Sequence, residues 1–139
     1  MEYKNSNPTV NAIIIDDDNR VLLAKRDSEN HGGLWDSPGG YLDNGEHPFD
    51  GLRRETMEEV GVKIEVGEFL CFTIEEDFYS EDPEARCLAI SFRCKYVSGE
   101  AEAKDETSEV RWFAKDEIPW KQMAFPGVAE ALKIHYNIK

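Results

Sequence analysis

The chain has 139 residues, of which 40% are hydrophobic and 11% aromatic, a composition typical of a globular domain rather than a disordered segment. Its formal net charge of −13 argues against sequence-independent binding to nucleic acid or to anionic membranes, because phosphate-bearing surfaces would repel it. No apolar run approaches the roughly 20 residues that span a bilayer, and the start, MEYKNSNPTV, lacks the basic and then apolar order of a secretory signal. We therefore expect a cytoplasmic protein.

Residues 1–139 are expected to form one domain, because the chain contains no internal repeat, low-complexity tract or linker rich in Pro, Gly and Ser. The three cysteines, Cys71, Cys87 and Cys94, form no CxxC pair and lie in apolar stretches. We interpret them as small buried hydrophobic residues rather than as disulfide partners or zinc ligands.

The first half of the chain predicts a hairpin, a loop and a helix. TVNAIII and RVLLAKR are apolar runs rich in β-branched residues, and the polar stretch DDDN between them favours a tight turn. A glycine-rich loop is expected from about residue 31 to residue 46. Pro48 suits the first position of a helix, Asp50 its first turn, and Gly61 its C-terminal cap.

The second half predicts further strands and a closing helix. VKIEVGEFLCFTI and CLAISFRCKYV have strand character, and the acidic segment EEDFYSEDPEA between them reads as a loop. EVRWF is a short strand, AKDEIPW a turn or single helical turn, and residues 126–136, PGVAEALKIHY, an amphipathic helix. Strands interleaved with two helices indicate an α/β or α+β fold, with a mixed β-sheet covered by helices.

The helix that ends near Gly61 carries an unusual concentration of negative charge. Side chains advance about 100° per residue, so an apolar stripe should face the core at Phe49, Leu52, Thr56 and Val60. Glu55, Glu58 and Glu59 fall together on a second face, where like charges cost a few tenths of a kcal/mol per pair and oppose the helix dipole. On these residues alone the cluster is either a solvated acidic face or a site for a divalent cation with hard oxygen ligands.

The upstream loop and the helix together resemble the Nudix box, the signature of the Nudix hydrolase superfamily that includes MutT-like proteins. The matching pattern is G-x5-E-x7-R-E-x2-E-E-x-G-V, formed by Gly40, Glu46, Arg54, Glu55, Glu58, Glu59, Gly61 and Val62. The family pattern has an aliphatic residue after Arg-Glu, and here the position is Thr56. The stretches NAIIIDDDNRVLLAKRD, GLWDSPGG and DETSEVRWFAKDEIP are also similar to the family, so the resemblance covers most of the chain and implies a Nudix-like α/β/α sandwich.

The resemblance assigns roles to the residues of the box. Glu58 and Glu59 are implied as the principal Mg²⁺ or Mn²⁺ ligands, and Glu55 as a further ligand or the residue that activates water. The Gly39–Gly40 backbone resembles the loop whose carbonyl, at Gly40, reaches a metal.

Two further expectations concern positions around the box. Arg54 is expected to hold Glu46 in a buried charge pair that fixes the loop against the helix. Glu106 matches a position where similar proteins carry a catalytic or metal-binding acid, although a solvated loop residue is the alternative.

Candidate substrate contacts lie outside the box. Lys25 and Arg26 end the second strand, where they are either solvated or a clamp for phosphate, for which the planar fork of arginine is suited. Tyr79 lies on the acidic loop about where similar enzymes acting on dinucleoside polyphosphates carry a tyrosine.

The resemblance implies hydrolysis of a nucleoside diphosphate linked to another moiety. ADP-ribose, NADH, a nucleoside triphosphate and a dinucleoside polyphosphate all stay open as substrates. Two alternatives are a non-catalytic nucleotide-binding or regulatory module and an isoprenoid-diphosphate isomerase. A homodimer is the default expectation for the assembly.

Overall fold

The computed structural model describes residues 7–77 and 80–139. In this part of the chain the strands are Thr9–Ile15 (β1), Val21–Arg26 (β2), Trp35–Asp36 (β3), Gly39–Tyr41 (β4), Lys63–Glu76 (β5), Arg86–Ser98 (β6) and Thr107–Phe113 (β7). The helices are Pro48–Val60 (α1) and Pro126–Tyr136 (α2), and single 3₁₀ turns occupy Lys115–Glu117 and Trp120–Gln122.

The strands form one mixed sheet. Its order is β3-β2-β1-β6-β5, with β4 also paired to β1 and β7 to β2. The β1–β6 pair is parallel over its whole length, from Thr9↔Ala89 to Ile15↔Lys95, and the other pairs are antiparallel. The predicted mixed sheet is therefore confirmed, and β1 lies at its centre.

Two hydrophobic cores lie on the two faces of the sheet, because side chains alternate along each strand. On one face Ala12 and Leu22 pack with Leu52 and Val60 of α1. On the other face Ile13, Val21 and Leu23 pack with Val128, Ala131 and Leu132 of α2. The helices thus cover opposite faces, which confirms the three-layer α/β/α arrangement.

Helix α1 begins and ends at the predicted residues. The His47 side chain accepts a hydrogen bond from the Phe49 N–H at 3.1 Å, and Gly61 closes the helix with φ of 71°, in the left-handed region that suits glycine. Leu52, Thr56 and Val60 are each fully buried, as the helical stripe predicts. Phe49 is half-buried and packs edge-on against Phe92, with 5.3 Å between ring centroids.

Two loop predictions need correction. Residues 31–46 are not a continuous loop, because β3 pairs with β2 and β4 pairs with β1. The acidic loop is shorter than expected, since Glu75 and Glu76 are still paired with β6. Within residues 7–77 and 80–139, neither helix has the length and apolar character needed to cross a membrane.

Candidate active site

A cavity of about 520 Å³ opens where α1, β4, the end of β2, the start of β7 and the residue before α2 meet. Its described lining is strongly acidic. The carboxylate residues are Asp36, Asp43, Glu55, Glu59, Glu75, Glu76, Asp105 and Glu106, and Arg26 is the one cationic residue among the described lining residues.

Glu55 and Glu59 reach this cavity one helical turn apart on α1. The Gly39 N–H donates to Glu59 Oε2 at 3.4 Å. Glu55 lies directly against Gly40, where a β-carbon would be 2.8 Å from Glu55 Oε1 and from its Cδ. A side chain with a β-carbon at position 40 would therefore displace the Glu55 carboxylate from its present position.

The surroundings raise the pKa of both carboxyl groups, Glu55 and Glu59. Burial, reinforced by the charges of Asp36 and Glu55, raises the pKa of Glu59 well above its usual value. Burial also raises the pKa of Glu55. Two hard oxygen donor groups that repel one another beside a glycine backbone suit a divalent cation, which would offset the repulsion. The residues present therefore fit Mg²⁺ or Mn²⁺.

Glu58 does not line the cavity. Its side chain is 50% exposed, and its Oε2 accepts a hydrogen bond from Arg54 Nη1 at 3.3 Å. Within the described ranges, no three His, Cys, Asp or Glu side chains stand close enough together to hold a metal ion. The structure thus brings two of the three predicted metal ligands together and turns the third towards Arg54.

Arg54 connects the loop, the strand and the helix. It donates from Nε and Nη2 to the two oxygens of Glu46, both at 2.8 Å, in a bidentate pair. It also donates to Glu55 Oε1 at 3.0 Å and to the Tyr41 carbonyl at 3.3 Å. The pair lowers the pKa of Glu46 to about 2, chiefly through the hydrogen bond from Arg54. The expected contact between Glu46 and Arg54 is present, although it is partly exposed rather than buried.

Arg26 and Lys25 lie on opposite faces of the sheet. Arg26 lines the cavity and donates to Asp36 Oδ2 at 3.3 Å, while its guanidinium lies 5.2 Å from the ring centroid of Phe125. Lys25 instead lies over Trp35 on the α2 side and does not line the cavity. Of the two predicted phosphate contacts, Arg26 lies at the cavity and Lys25 lies away from it.

Glu106 lines the cavity from the turn before β7. It adopts a φ of 51°, uncommon for a non-glycine residue, and its carbonyl accepts from the Asp27 N–H at 2.8 Å. This backbone hydrogen bond between Asp27 and Glu106 holds the turn beside the end of β2. Tyr79, the other candidate outside the box, lies outside the described residues.

Several residues that line the cavity were not predicted from the sequence. Asp36 and Ser37 come from the β3–β4 segment, Glu75 from the end of β5, and Phe125 from the residue before α2. Burial raises the pKa of Asp36 to about 6, against the opposing effect of Arg26. Asp36 could have been found from the sequence, because it is an acidic residue within GLWDSPGG, directly after Trp35. At Ser37, Glu75 and Phe125 the sequence contains no such indication of a site.

Cys87 also lines the cavity, which goes beyond its interpretation as a small buried residue. Burial raises the pKa of its thiol, so the group is protonated near neutral pH. Cys94 is buried as expected, and Cys71 is half-buried.

Comparison with known families agrees with this geometry. The family model described as the NUDIX domain matches residues 5–133. The structure of a MutT NUDIX hydrolase from Burkholderia pseudomallei superposes with a TM-score of 0.79 at 28% identity, covering 92% of this chain and 96% of that one. The chain belongs to the Nudix family.

Two curated relatives extend the comparison. A MutT-like protein from Streptomyces ambofaciens is 34% identical over 110 residues, which are 79% of this chain and 65% of the relative. An ADP-ribose pyrophosphatase from Methanocaldococcus jannaschii is 31% identical over 106 residues, which are 76% of this chain and 61% of the relative. The chain thus spans less than two thirds of the length of these relatives.

Proposed function

We propose that this chain hydrolyses the diphosphate linkage of a nucleoside diphosphate joined to a second moiety, with Mg²⁺ or Mn²⁺ as cofactor. The observation that carries the proposal is the pair of carboxylates, Glu55 and Glu59, held against Gly39 and Gly40 at the wall of the cavity. The likeness to a relative named ADP-ribose pyrophosphatase supports the same class of reaction.

The acidic face of α1 would hold the cofactor. Glu55, Glu58 and Glu59 would supply carboxylate oxygens, with the Gly40 carbonyl as a backbone donor. Glu58 is included because it neighbours Glu59 on the helix and is held by a single-nitrogen contact from Arg54 at 3.3 Å. When bound, a divalent cation neutralises diphosphate charge and lowers the pKa of water.

The remaining steps depend on groups of the chain itself. Arg54 fixes Glu55 by its 3.0 Å hydrogen bond and, through Glu46, fixes the loop that carries the glycines. A carboxylate takes the proton from the attacking water. Glu55 and Glu106 are the two candidates for this base, since both line the cavity.

Activity measurements on matched amide variants test the proposal. Glu55→Gln and Glu59→Gln are expected to lower kcat for ADP-ribose in Mg²⁺ by about 10²-fold or more, because each removes a charged oxygen from the reacting region. Glu58→Gln is expected to lower it as well if its carboxylate leaves Arg54 for the cation. Exposed Glu102→Gln is the control and should retain wild-type kcat. Full activity in both Glu55→Gln and Glu59→Gln would remove this site from the reaction.

The base is identified by the pH dependence of kcat. In Glu106→Gln, loss of the acidic limb of the profile with unchanged Mg²⁺ affinity would assign the proton transfer to Glu106. An unchanged limb in that variant, together with its loss in Glu55→Gln, would assign the transfer to Glu55.

Gly40→Ala tests the packing of the glycine strand against α1. The new methyl group would lie 2.8 Å from the Glu55 carboxylate and must displace it, so we expect kcat to fall at least tenfold. Gly45→Ala is a poor control because Gly45 has a φ of 77°, so Ala101→Gly is the preferred comparison.

The two alternative functions give different products. A regulatory module would bind ADP-ribose without releasing AMP and ribose phosphate, which chromatography detects directly. An isomerase would convert an isoprenoid diphosphate without cleaving it, and the protonated Cys87 thiol in the cavity gives that alternative a testable residue. Isomer formation that is lost in Cys87→Ala would replace the hydrolase proposal.

A further inference from the structure

Ser37 is a buried polar residue in the wall of the cavity with no hydrogen-bonding partner for its hydroxyl. The residue is 3% exposed, its Oγ finds no partner among the described residues, and it contributes to the cavity lining. Its backbone N–H is already satisfied by Asp36 Oδ1 at 2.8 Å. A buried unpaired hydroxyl is destabilising, so a hydroxyl in this position calls for a ligand that completes it.

Arg26 connects the segment that carries Ser37 to the start of α2. It donates to Asp36, the residue before Ser37, and its guanidinium lies 5.2 Å from the ring centroid of Phe125. Glu75 lies at the same end of the cavity, where its Oε1 accepts from the Gly127 N–H at 2.7 Å. Its attachment to the first turn of α2 keeps the Glu75 carboxylate fixed in the cavity wall.

This end of the cavity disfavours negatively charged groups. Glu75 and Glu76 both line it. Arg26, the one cationic residue of the described lining, donates to Asp36, to the Asn30 carbonyl and to the Ser28 hydroxyl. Three of its five N–H groups are therefore used within the chain, and a phosphate placed beside Glu75 would meet the fixed negative charge of that carboxylate.

An uncharged group with hydroxyls has the complementary chemistry. A hydroxyl can donate to the Glu75 carboxylate and both donate to and accept from Ser37. A nucleoside diphosphate whose second moiety is a sugar presents such hydroxyls on the far side of the diphosphate. A nucleoside triphosphate presents further negative charge there.

We propose that Ser37 and Glu75 form a subsite for the hydroxyls of an uncharged sugar, and that this subsite selects nucleoside diphosphate sugars over nucleoside triphosphates. The proposal deepens the proposed function and rests on it for the position of the diphosphate. Ser37 supplies the uncompensated hydrogen-bonding group, and Glu75 supplies the charge that rejects additional phosphate.

Comparison of Ser37→Ala with wild type on two matched substrates tests the role of the hydroxyl. ADP-ribose carries the second sugar, and ADP methyl ester keeps the same nucleoside and diphosphate without it. The ratio of kcat/KM for ADP-ribose to that for ADP methyl ester should fall about three- to tenfold in Ser37→Ala, the effect of one neutral hydrogen bond. Ser98→Ala, an exposed serine at the far end of β6, should leave the ratio unchanged. An unchanged ratio in Ser37→Ala would overturn the assignment to a sugar.

The thermal stability of Ser37→Ala separates a ligand-binding hydroxyl from a structural one. Removing an unpaired buried hydroxyl should raise Tm by roughly 3 °C in the absence of ligand. A fall in Tm would mean that the hydroxyl is bonded within the folded protein, and would overturn the proposal.

A binding measurement and a charge variant distinguish failure of the subsite from failure of the proposed hydrolysis. Titration calorimetry with the non-hydrolysable α,β-methylene analogue of ADP-ribose should show a three- to tenfold weaker Kd in Ser37→Ala even if no substrate is cleaved. Glu75→Gln keeps an oxygen acceptor for Gly127 and removes the charge, so its kcat/KM for ATP relative to ADP-ribose should rise several-fold. If wild type hydrolyses neither compound, the proposed function fails; if it hydrolyses ADP-ribose and both variants behave as wild type, the subsite alone fails.

Discussion

Thr56→Val should stabilise the protein, because it removes a buried hydroxyl that lacks a partner. Thr56 is fully buried in the stripe of α1 between Leu52 and Val60, and its Oγ1 has no hydrogen-bond partner among the described residues. An unsatisfied buried hydroxyl costs about 1–3 kcal/mol, and valine has the same branched shape with similar helix propensity. We therefore expect about 1–2 kcal/mol of added stability, or roughly 3–8 °C in Tm for a chain of this length.

Urea and thermal unfolding followed by circular dichroism measure the effect. Thr56→Ser is the matched control, since it keeps the hydroxyl and loses the methyl group, and it should be less stable than wild type by about 1 kcal/mol. Activity should be unaffected in Thr56→Val, because the side chain faces the core rather than the cavity. A lower Tm in Thr56→Val than in wild type would refute the reasoning, since it would show that the hydroxyl is paired in the folded protein.

Two further predictions concern pH. The pKa of Glu46 is lowered to about 2 by Arg54, so the stability contributed by this pair is present above the ordinary value of 4.5 and is lost as pH falls towards 2; Glu46→Gln should flatten that part of the acid unfolding profile. Burial and the charge of Arg93 lower the pKa of His135, whose Nδ1 accepts from Arg93 Nε at 2.9 Å. Neutral His135 is therefore favoured by folding, and its contribution should diminish as pH falls below about 6.5, a loss that urea titrations at pH 7 and pH 5 would show in wild type and not in His135→Gln. Equal pH dependence in wild type and either variant would contradict the corresponding assignment.

The features of α1 could be predicted from sequence because they are local. Helical periodicity fixes which face Leu52 and Glu55 occupy, and the proline and glycine at the two ends fix its length. The same periodicity placed Glu55 and Glu59 together. It did not place Glu58 outside the cavity, although the i,i+4 spacing of Arg54 and Glu58 on one helix allows the contact that holds Glu58 there.

The opposite wall of the cavity could not be predicted, because it is assembled from distant segments. Asp36, Glu75 and Phe125 are separated by 39 and 50 positions and meet through the pairing of different strands and the seating of α2. By contrast, strand alternation does predict that Lys25 and Arg26 face opposite sides of the sheet. Which of the two faces the site depends on where α1 packs, and that information is absent from the strand itself.

The parallel pairing of β1 with β6 has a consequence for synthesis of the chain. The central strand β1 pairs with β6, which lies 80 residues later in the chain, as the hydrogen bond between Asn11 and Ser91 shows. At about 5–20 residues per second a ribosome needs several seconds to deliver that partner, and until then the apolar strand Thr9–Ile15 has one open edge. Fragments that stop short of β6 should consequently aggregate, and refolding of the whole chain should be slow for its size.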